Sequence, residues 1–196
     1  MRIKICGITN LEDALYAIQC GADALGFVFY EQSPRYILVE DAHKIVEKLP
    51  PFVERVGLFV NKDASSVEQI CNKAGMSTAQ IHFDAKETYF DDLSIKSLPV
   101  IRAKAKEDIN KFEDKYRLVD AYCEAYGGSG KRLNLEWFKD VDCSKIILAG
   151  GLNPTNIEEI KSFGFYGVDV SSGVELSQGK KDPLKVKEFI IHAKSL

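Results

Sequence analysis

The stretch KIILAGGLNPTNIEEIKSFGFYGVDVSSG, residues 145–173, contains two short runs that are rich in β-branched and apolar residues, and each run ends in a turn of small residues. The runs, at residues 145–149 and 167–171, are nearly continuous rather than alternating, which is typical of strands covered on both faces. Between them Asn153 precedes Pro154, a cap residue followed by proline, which predicts the start of a helix. The stretch therefore predicts a strand, a helix and a second strand, the unit of a parallel α/β fold.

The same alternation extends through the rest of the chain. Six further apolar runs lie at residues 3–6, 24–29, 53–60, 78–82, 100–103 and 117–120. The intervening segments repeat apolar residues at helical spacing; in the first, Thr9 and Glu12 form a capping-box pattern and Gly21 ends the helix. The segment 86–98 carries the weakest helical pattern. Eight strand–helix units predict a compact (β/α)₈ TIM barrel as a single domain, residues 1–196.

The alternative architecture is an open, doubly wound parallel sheet. That fold carries a GxGxxG turn after its first strand, and here two separate glycine turns occur late in the chain instead. We therefore favour the closed barrel.

Composition excludes several classes of function. The net charge is −3 with both signs mixed along the chain, so nucleic-acid binding has little electrostatic support. The longest apolar stretch, residues 24–30, is far shorter than the roughly 20 residues that span a bilayer. Five cysteines without a CxxC pair, together with three scattered histidines, favour a reducing, cytoplasmic location and offer no metal site. The cysteines are Cys6, Cys20, Cys71, Cys123 and Cys143, and the histidines are His43, His82 and His192.

Small residues follow the last two predicted strands, where barrels of this kind usually bind phosphate. Gly150 and Gly151 follow strand seven, and Ser171, Ser172 and Gly173 follow strand eight. Glycines allow close approach of the backbone, and exposed N–H groups can surround an anion. We predict C-terminal phosphate-binding loops and a small phosphorylated substrate; the alternative is that these glycines only make tight turns.

Four other residues stand where strands end. Cys6 is either a small buried apolar side chain or a thiolate that accepts a proton. Lys4, two residues earlier, points either into the barrel or into the helix layer. Asp120 ends a buried apolar run. An acidic side chain in that position costs free energy of desolvation unless it is paired or takes part in catalysis. The alternative to a catalytic role is a hydrogen bond that caps or braces a loop. Arg35 can bind a substrate carboxylate through two hydrogen bonds or form a surface ion pair. His82 is better explained as a buried histidine with its hydrogen bonds satisfied than as a catalytic group.

Nine short motifs cover the chain in order. They are KICGIT (4–9), GADALGFVF (21–29), SPRYI (33–37), VGLFVN (56–61), QIH (80–82), GGSG (127–130), LAGGLNPTNI (148–157), GVDVSSGVE (167–175) and GKKD (179–182). Together, in this order, they resemble the phosphoribosylanthranilate isomerase family of tryptophan biosynthesis over the whole chain. Two departures from the family pattern concern the pocket wall and one loop: Phe83 replaces a glycine, and LNL at 133–135 replaces FDW.

The resemblance implies an Amadori rearrangement of N-(5-phosphoribosyl)anthranilate to 1-(2-carboxyphenylamino)-1-deoxyribulose 5-phosphate, with no cofactor and no metal. It implies that Asp120 is the general acid that opens the ribose ring and that Cys6 is the base that takes the proton from the sugar C2 carbon. It places Arg35 against the anthranilate carboxylate, and His82 and Asp169 near the sugar. The resemblance also implies that the substrate phosphate is bound by Gly151, Ser171, Ser172 and Gly173.

Three other functions compete with this one. A histidine-pathway isomerase would use an aspartate acid–base pair, whereas strand one here ends in cysteine. A lyase such as indole-glycerol-phosphate synthase would need a lysine at a strand end, and Lys4 lies inside its strand. A catalytically inactive barrel would bind phosphate without turnover. The sequence leaves open whether the protein is a monomer or a homodimer.

Overall fold

The computed structural model describes residues 1–122 and 132–196. Eight parallel strands form a closed barrel in chain order, and β8 returns to pair with β1. The strands are β1 Arg2–Cys6, β2 Ala24–Val28, β3 Glu54–Phe59, β4 Thr78–Ile81, β5 Ser97–Ala103, β6 Arg117–Ala121, β7 Ile146–Leu148 and β8 Gly167–Val170. The predicted (β/α)₈ barrel is confirmed, and the open-sheet alternative is wrong.

Five α-helices connect the strands or close the chain: α1 Leu11–Cys20, α2 Val39–Val46, α3 Ala64–Ala74, α4 Glu87–Asp91 and α5 Pro183–Lys194. Other connections contain 3₁₀ turns, at Lys106–Asn110, Leu135–Phe138 and Ile157–Ile160. The helix predicted to begin at Pro154 is therefore wrong. The Asn153 side chain accepts hydrogen bonds from the N–H and hydroxyl of Thr155, which stabilises a turn in place of a first helical turn.

The ends of α1 and α5 show how local caps place the helices. Asn10, not Thr9, caps α1, because its side chain accepts the Asp13 N–H at 2.9 Å. The capping-box prediction is wrong by one residue: the Thr9 hydroxyl donates to the Gly179 carbonyl instead. At α5 the predicted pattern is confirmed, with Asp182 as the cap.

Alternation along the strands separates two apolar layers. In β1, Ile3 and Ile5 are buried in the main core beneath the helices, whereas Lys4 and Cys6 face into the barrel. A second, smaller cluster fills the barrel interior and consists of Leu98, Val100, Leu118 and Ala149, with Ile147 packed against it.

After β8 the chain forms a 3₁₀ turn, Ser172–Val174, and an antiparallel hairpin of β9 Glu175–Ser177 and β10 Lys180–Lys181. The hairpin is fastened to α1, because the Asp13 carboxylate accepts the Lys181 N–H at 2.8 Å. None of the described helices is both long enough and apolar enough to cross a bilayer.

Candidate active site

Cys6 ends β1 at the carboxyl-end rim, and its side chain lies against β2. A Cβ atom placed on Gly26 would lie 2.7 Å from Cys6 Sγ and 3.0 Å from Lys4 Cε. Gly26 therefore gives the thiol and the lysine stem the room they need inside the barrel. Cys6 itself is buried.

Lys4 points into the barrel and forms an ion pair with Asp169 on β8. The distance from Lys4 Nζ to Asp169 Oδ1 is 2.7 Å, and the two side chains are 5% and 11% exposed. Burial disfavours the charge on Lys4, but Asp169 and Cys6 outweigh that effect and raise the pKa of Lys4. Lys4 is thus a permanent cation one layer below the rim.

The Cys6 thiol is under opposing influences. Burial raises the pKa of Cys6 above its ordinary value and Asp169 adds to the rise, while the ammonium groups of Lys4 and Lys181 lower it. The net shift is upward, so the thiol form predominates at neutral pH in the ligand-free protein. The two lysines nevertheless provide cations that would stabilise a thiolate.

Asp120 ends β6 on the same rim. Burial, with Asp169 second, raises the pKa of Asp120 to about 7, despite opposing effects of the Ala121 N–H and of Arg102 and Lys4. The Ala121 N–H donates to Asp120 Oδ1 at 2.8 Å. Ala121 is the last residue of β6, so this bond stays within the strand, braces no loop and leaves Oδ2 for other partners. A carboxyl whose pKa is raised this far can hold a proton near neutral pH, as an acid catalyst requires.

His82 lies immediately after β4 and beside Asp120. Its Nε2 atom is 3.9 Å from Asp120 Oδ2, and Nδ1 faces the side-chain amide of Gln80 at 3.4 Å. Burial, followed by the charges of Arg102 and Lys4, lowers the pKa of His82 to about 3. The imidazole is therefore neutral, and it adjoins the acid rather than carrying charge itself.

The loops after β7 and β8 form a cradle of backbone and hydroxyl groups. Gly150 and Gly151 adopt φ values of 90° and 62°, in the left-handed region that favours glycine. A Cβ atom on Gly173 would lie 1.8 Å from the Leu152 carbonyl oxygen, so the two loops touch at a point where only glycine fits. Within residues 1–122 and 132–196, the buried Ser171 hydroxyl has no hydrogen-bond partner. An unsatisfied buried hydroxyl beside such a cradle suits an anionic ligand.

Asn156 braces the first of these loops. It donates to the Gly151 carbonyl at 2.9 Å and accepts the Asn153 N–H at 2.9 Å. Sequence reasoning missed this residue. The signal was the second asparagine of the NPTN pattern, which was assigned to a helix instead.

Arg35 is buried, and its guanidinium is paired with Glu175. Arg35 Nε and Nη2 donate to the two carboxylate oxygens of Glu175, each at 2.7 Å. The surface ion pair weighed from the sequence is wrong, because both side chains are enclosed. A Cβ atom on Gly7 would lie 2.6 Å from Arg35 Cδ and 3.0 Å from Ser171 Oγ, so Arg35 reaches the rim between β1 and the β8 loop.

Two charged residues near Arg35 were missed by sequence reasoning. Glu175 also accepts a hydrogen bond from Lys181 Nζ at 3.0 Å, and Lys181 is 2% exposed. The GVDVSSGVE and GKKD motifs contained both residues, but their pairing depends on the β9–β10 hairpin and is not a local pattern.

The structure shows where the residues that depart from the family pattern pack. Phe83 packs edge-to-face on Tyr89 with ring centroids 5.3 Å apart, and Leu133 is buried in the core. The GGSG motif at 127–130 and Cys123 lie outside the described residues. In the part of the chain that the structure describes, no group of three or more His, Cys, Asp or Glu side chains is arranged to hold a metal ion.

Comparisons with known proteins agree over the full chain. Residues 3–192 match the sequence profile described as N-(5'phosphoribosyl)anthranilate (PRA) isomerase. The N-(5'-phosphoribosyl)anthranilate isomerase of Sulfurovum sp. (strain NBC37-1) is 65% identical over 196 residues, which cover all of both chains.

Solved structures give the same result. The phosphoribosyl anthranilate isomerase of Thermotoga maritima superposes with a TM-score of 0.93 at 38% identity, with complete coverage of both chains. A phosphoribosyl anthranilate isomerase in complex with reduced 1-(o-carboxyphenylamino)-1-deoxyribulose 5-phosphate gives 0.86 at 37% identity, also with complete coverage. A structure of monomeric forms generated from the dimeric Thermotoga maritima enzyme gives 0.84 at 36% identity and covers both chains fully.

Proposed function

The chain belongs to the N-(5'-phosphoribosyl)anthranilate isomerase family, an enzyme family of tryptophan biosynthesis, and from that premise we propose which of its residues carry out the reaction. Asp120 donates a proton to the ribose ring oxygen, which breaks the bond from that oxygen to C1 and leaves a Schiff base at the anthranilate nitrogen. Cys6, as the thiolate, removes the proton from C2, and the C–H electrons reduce the C=N bond. The enolamine then tautomerises to the ketone.

The observation that carries this proposal is the presence of one ion pair, Lys4–Asp169, near both the buried Cys6 and the partly buried Asp120. Lys4 and Asp169 act electrostatically on both Cys6 and Asp120, which stand near the carboxyl ends of β1 and β6. Burial holds the pKa of Asp120 near 7, which suits a proton donor. The ammonium groups of Lys4 and Lys181 oppose the rise that burial causes in the pKa of Cys6, so they stabilise the thiolate when it forms. Each group moves one proton, and no redox cofactor enters the reaction because the substrate nitrogen accepts the electron pair.

The phosphate, in this proposal, occupies the cradle formed by the loops after β7 and β8. Gly150, Gly151 and Gly173 supply close backbone approach, and the unsatisfied Ser171 hydroxyl supplies a donor that faces the ligand. Ser172 opens the 3₁₀ turn, so its N–H is one of the unpaired groups at the start of that turn.

The substrate carboxylate is assigned to Arg35. Glu175 holds the Nε and Nη2 side of the guanidinium, which leaves Nη1 pointing away from that pair. A guanidinium fixed in this way presents its remaining donors with little loss of side-chain entropy. His82, neutral beside Asp120, and Asp169, paired with Lys4, border the sugar.

The test is the loss of anthranilate fluorescence when the purified protein meets N-(5'-phosphoribosyl)anthranilate. Cys6→Ser and Asp120→Asn should each reduce kcat by about 10²–10⁴-fold, the usual contribution of a general acid or base, while KM changes little. Cys20→Ser on α1 and Asp140→Asn at an exposed position serve as matched controls and should retain full activity. Near-full activity of Cys6→Ser would remove Cys6 from the mechanism, and phosphate binding without turnover by the wild type would indicate an inactive barrel.

We also propose that two copies of the chain associate through the opposite face of the barrel. Phe52, fully exposed at φ 68°, projects beside a cavity of about 660 Å³ at the amino ends of the strands. The rings of Tyr116 and Tyr166, in contact at a tilted angle of 58°, line the same cavity. A two-fold interface brings the same patch of both subunits together, so the Phe52 ring of each copy would face the cavity of the other. Light scattering should find a dimer for the wild type and an active monomer for Phe52→Asp; a monomeric wild type would refute this.

A further inference from the structure

Three buried charged side chains form a continuous cluster between Arg35 and the loop after β8. Glu175 accepts two hydrogen bonds from Arg35, both 2.7 Å, and one from Lys181 at 3.0 Å. The three residues are 8%, 8% and 2% exposed for Arg35, Glu175 and Lys181. Two cations face one carboxylate, so the Arg35–Glu175–Lys181 cluster keeps one positive charge that it does not neutralise itself.

The cluster touches both halves of the proposed site. Lys181 Nζ donates to the Ser171 carbonyl at 3.3 Å, which ties it to the phosphate cradle. Arg35 Cδ and Ser171 Oγ both border Gly7, the residue after Cys6. The uncompensated charge therefore lies between the strand end that carries the thiol and the loop that faces the phosphate.

An excess buried charge is costly unless something pairs with it. Glu175 already receives a bidentate pair from Arg35, so Lys181 is not needed to satisfy that carboxylate. The neighbouring Lys180 shows the alternative, because its partly exposed ammonium pairs with two carboxylates of α1, the exposed Glu12 and the buried Asp13. A lysine placed inward here points to a ligand that carries more than one negative charge, as a phosphorylated anthranilate does.

We propose that Glu175 and Lys181 are positioning residues of the rearrangement. Glu175 fixes the guanidinium of Arg35 toward the substrate carboxylate. Lys181 anchors the phosphate loop through Ser171 and supplies the positive charge that stabilises negative charge on Cys6. This inference rests on the proposed roles of Arg35 and Cys6.

The charged groups that face Cys6 come from four elements: Lys4 on β1, Arg35 after β2, Asp169 on β8 and Lys181 on β10. Burial lowers the pKa of Lys181, and Glu175 opposes that shift. Lys4 and Asp169 act on Cys6 in opposite directions and are unchanged in the cluster variants, so a change of charge at Lys181 or Glu175 should show in the ionisation of Cys6.

The experiment measures the rate of Cys6 carbamidomethylation by iodoacetamide against pH, with the modified peptide quantified by mass spectrometry and no substrate present. Lys181→Met should move the midpoint to higher pH, and Glu175→Gln should move it to lower pH. Lys180→Met, which removes the same charge from the adjacent surface position, should leave the midpoint unchanged. In steady-state assays Lys181→Met should also raise KM by about 10–100-fold, the range for a lost charge-assisted contact.

The direction of the Lys181→Met shift is decisive, because a merely loosened structure would hydrate the thiol and move the midpoint downward. An unchanged or lowered midpoint in Lys181→Met would overturn the proposal. Lys181→Gln, which keeps a donor toward Glu175 and Ser171, serves if the methionine variant does not fold; loss of folding in both assigns the cluster to stability alone and overturns it too. Wild-type protein that fails to isomerise the substrate would instead refute the proposed function, whatever the alkylation result.

Discussion

Removing the carboxylate of Asp169 breaks its ion pair with Lys4, and it therefore tests the contribution of the pair that influences both proposed catalytic groups. Lys4 and Asp169 are nearly enclosed, with 2.7 Å between Nζ and Oδ1. Breaking a buried pair by deleting one partner typically costs about 3–5 kcal/mol, because the remaining charge is left unpaired. The Asn oxygen in Asp169→Asn still accepts one hydrogen bond from Lys4, so we expect a loss near the lower end, about 3 kcal/mol.

Chemical unfolding followed by the fluorescence of the single tryptophan, Trp137, measures this loss. The matched control is Glu159→Gln, because Glu159 pairs with Arg132 at the same 2.7 Å distance on the surface. Exposed pairs are screened by solvent, so the control should unfold at the same denaturant concentration as the wild type. Equal losses in the two variants would show that burial of the Lys4 pair has no energetic consequence and would refute the reasoning.

The same substitution should displace the pH dependence of kcat/KM. The proposed active form carries one proton shared between Asp120 and Cys6, so the rate rises as the first proton leaves, near pH 7, and falls as the second leaves, above the ordinary pKa of a thiol. Asp169 raises the pKa of both groups, so Asp169→Asn should shift both limbs of the profile to lower pH. If neither limb moves, Asp169 does not influence the ionisation of the groups that carry out the reaction.

Three further predictions concern binding and cofactors. Gly151→Asp should raise KM steeply while the barrel remains folded, because it adds a like charge and a side chain to the phosphate cradle; an unchanged KM would remove Gly151 from the site. Arg35→Lys should weaken substrate binding by about 1.5–3 kcal/mol, because lysine cannot reproduce the guanidinium fork; a product complex with Arg35 turned away from the carboxylate would contradict this. Treatment with EDTA should leave activity intact, and restoration of lost activity by zinc or magnesium would overturn the metal-free mechanism.

The barrel was predictable from sequence because its signal is local and repeated. Each strand appears as a short apolar run, and the parallel pairing of eight such runs leaves few closed arrangements. The connections were less predictable. The run after Pro154 has a cap and apolar residues, yet Asn153 and Asn156 stabilise a turn and a 3₁₀ segment there, and the hydroxyl of Thr9 is engaged by Gly179, 170 positions away.

The candidate site likewise has a part that could be predicted from the sequence and a part that could not. Strand ends and glycine turns are visible in the sequence, so Cys6, Asp120 and the loop after β7 could be singled out from position alone. The partners that tune them could not, because they come from distant segments. Lys4 meets Asp169 across 165 positions, and Arg35 meets Glu175 across 140.

Burial raises the pKa of both proposed catalytic groups, which helps the acid and hinders the base, and this difference accounts for where the charges lie. Removing water from a carboxyl raises its pKa, which is what a proton donor needs, so Asp120 requires only a neutral neighbour such as His82. Removing water from a thiol also raises its pKa, which is the reverse of what a proton acceptor needs. The barrel accordingly places its buried lysines, Lys4 and Lys181, within range of Cys6. A site with an acid alone would not need those cations, and their enclosure at an energetic cost argues for a thiolate in the reaction.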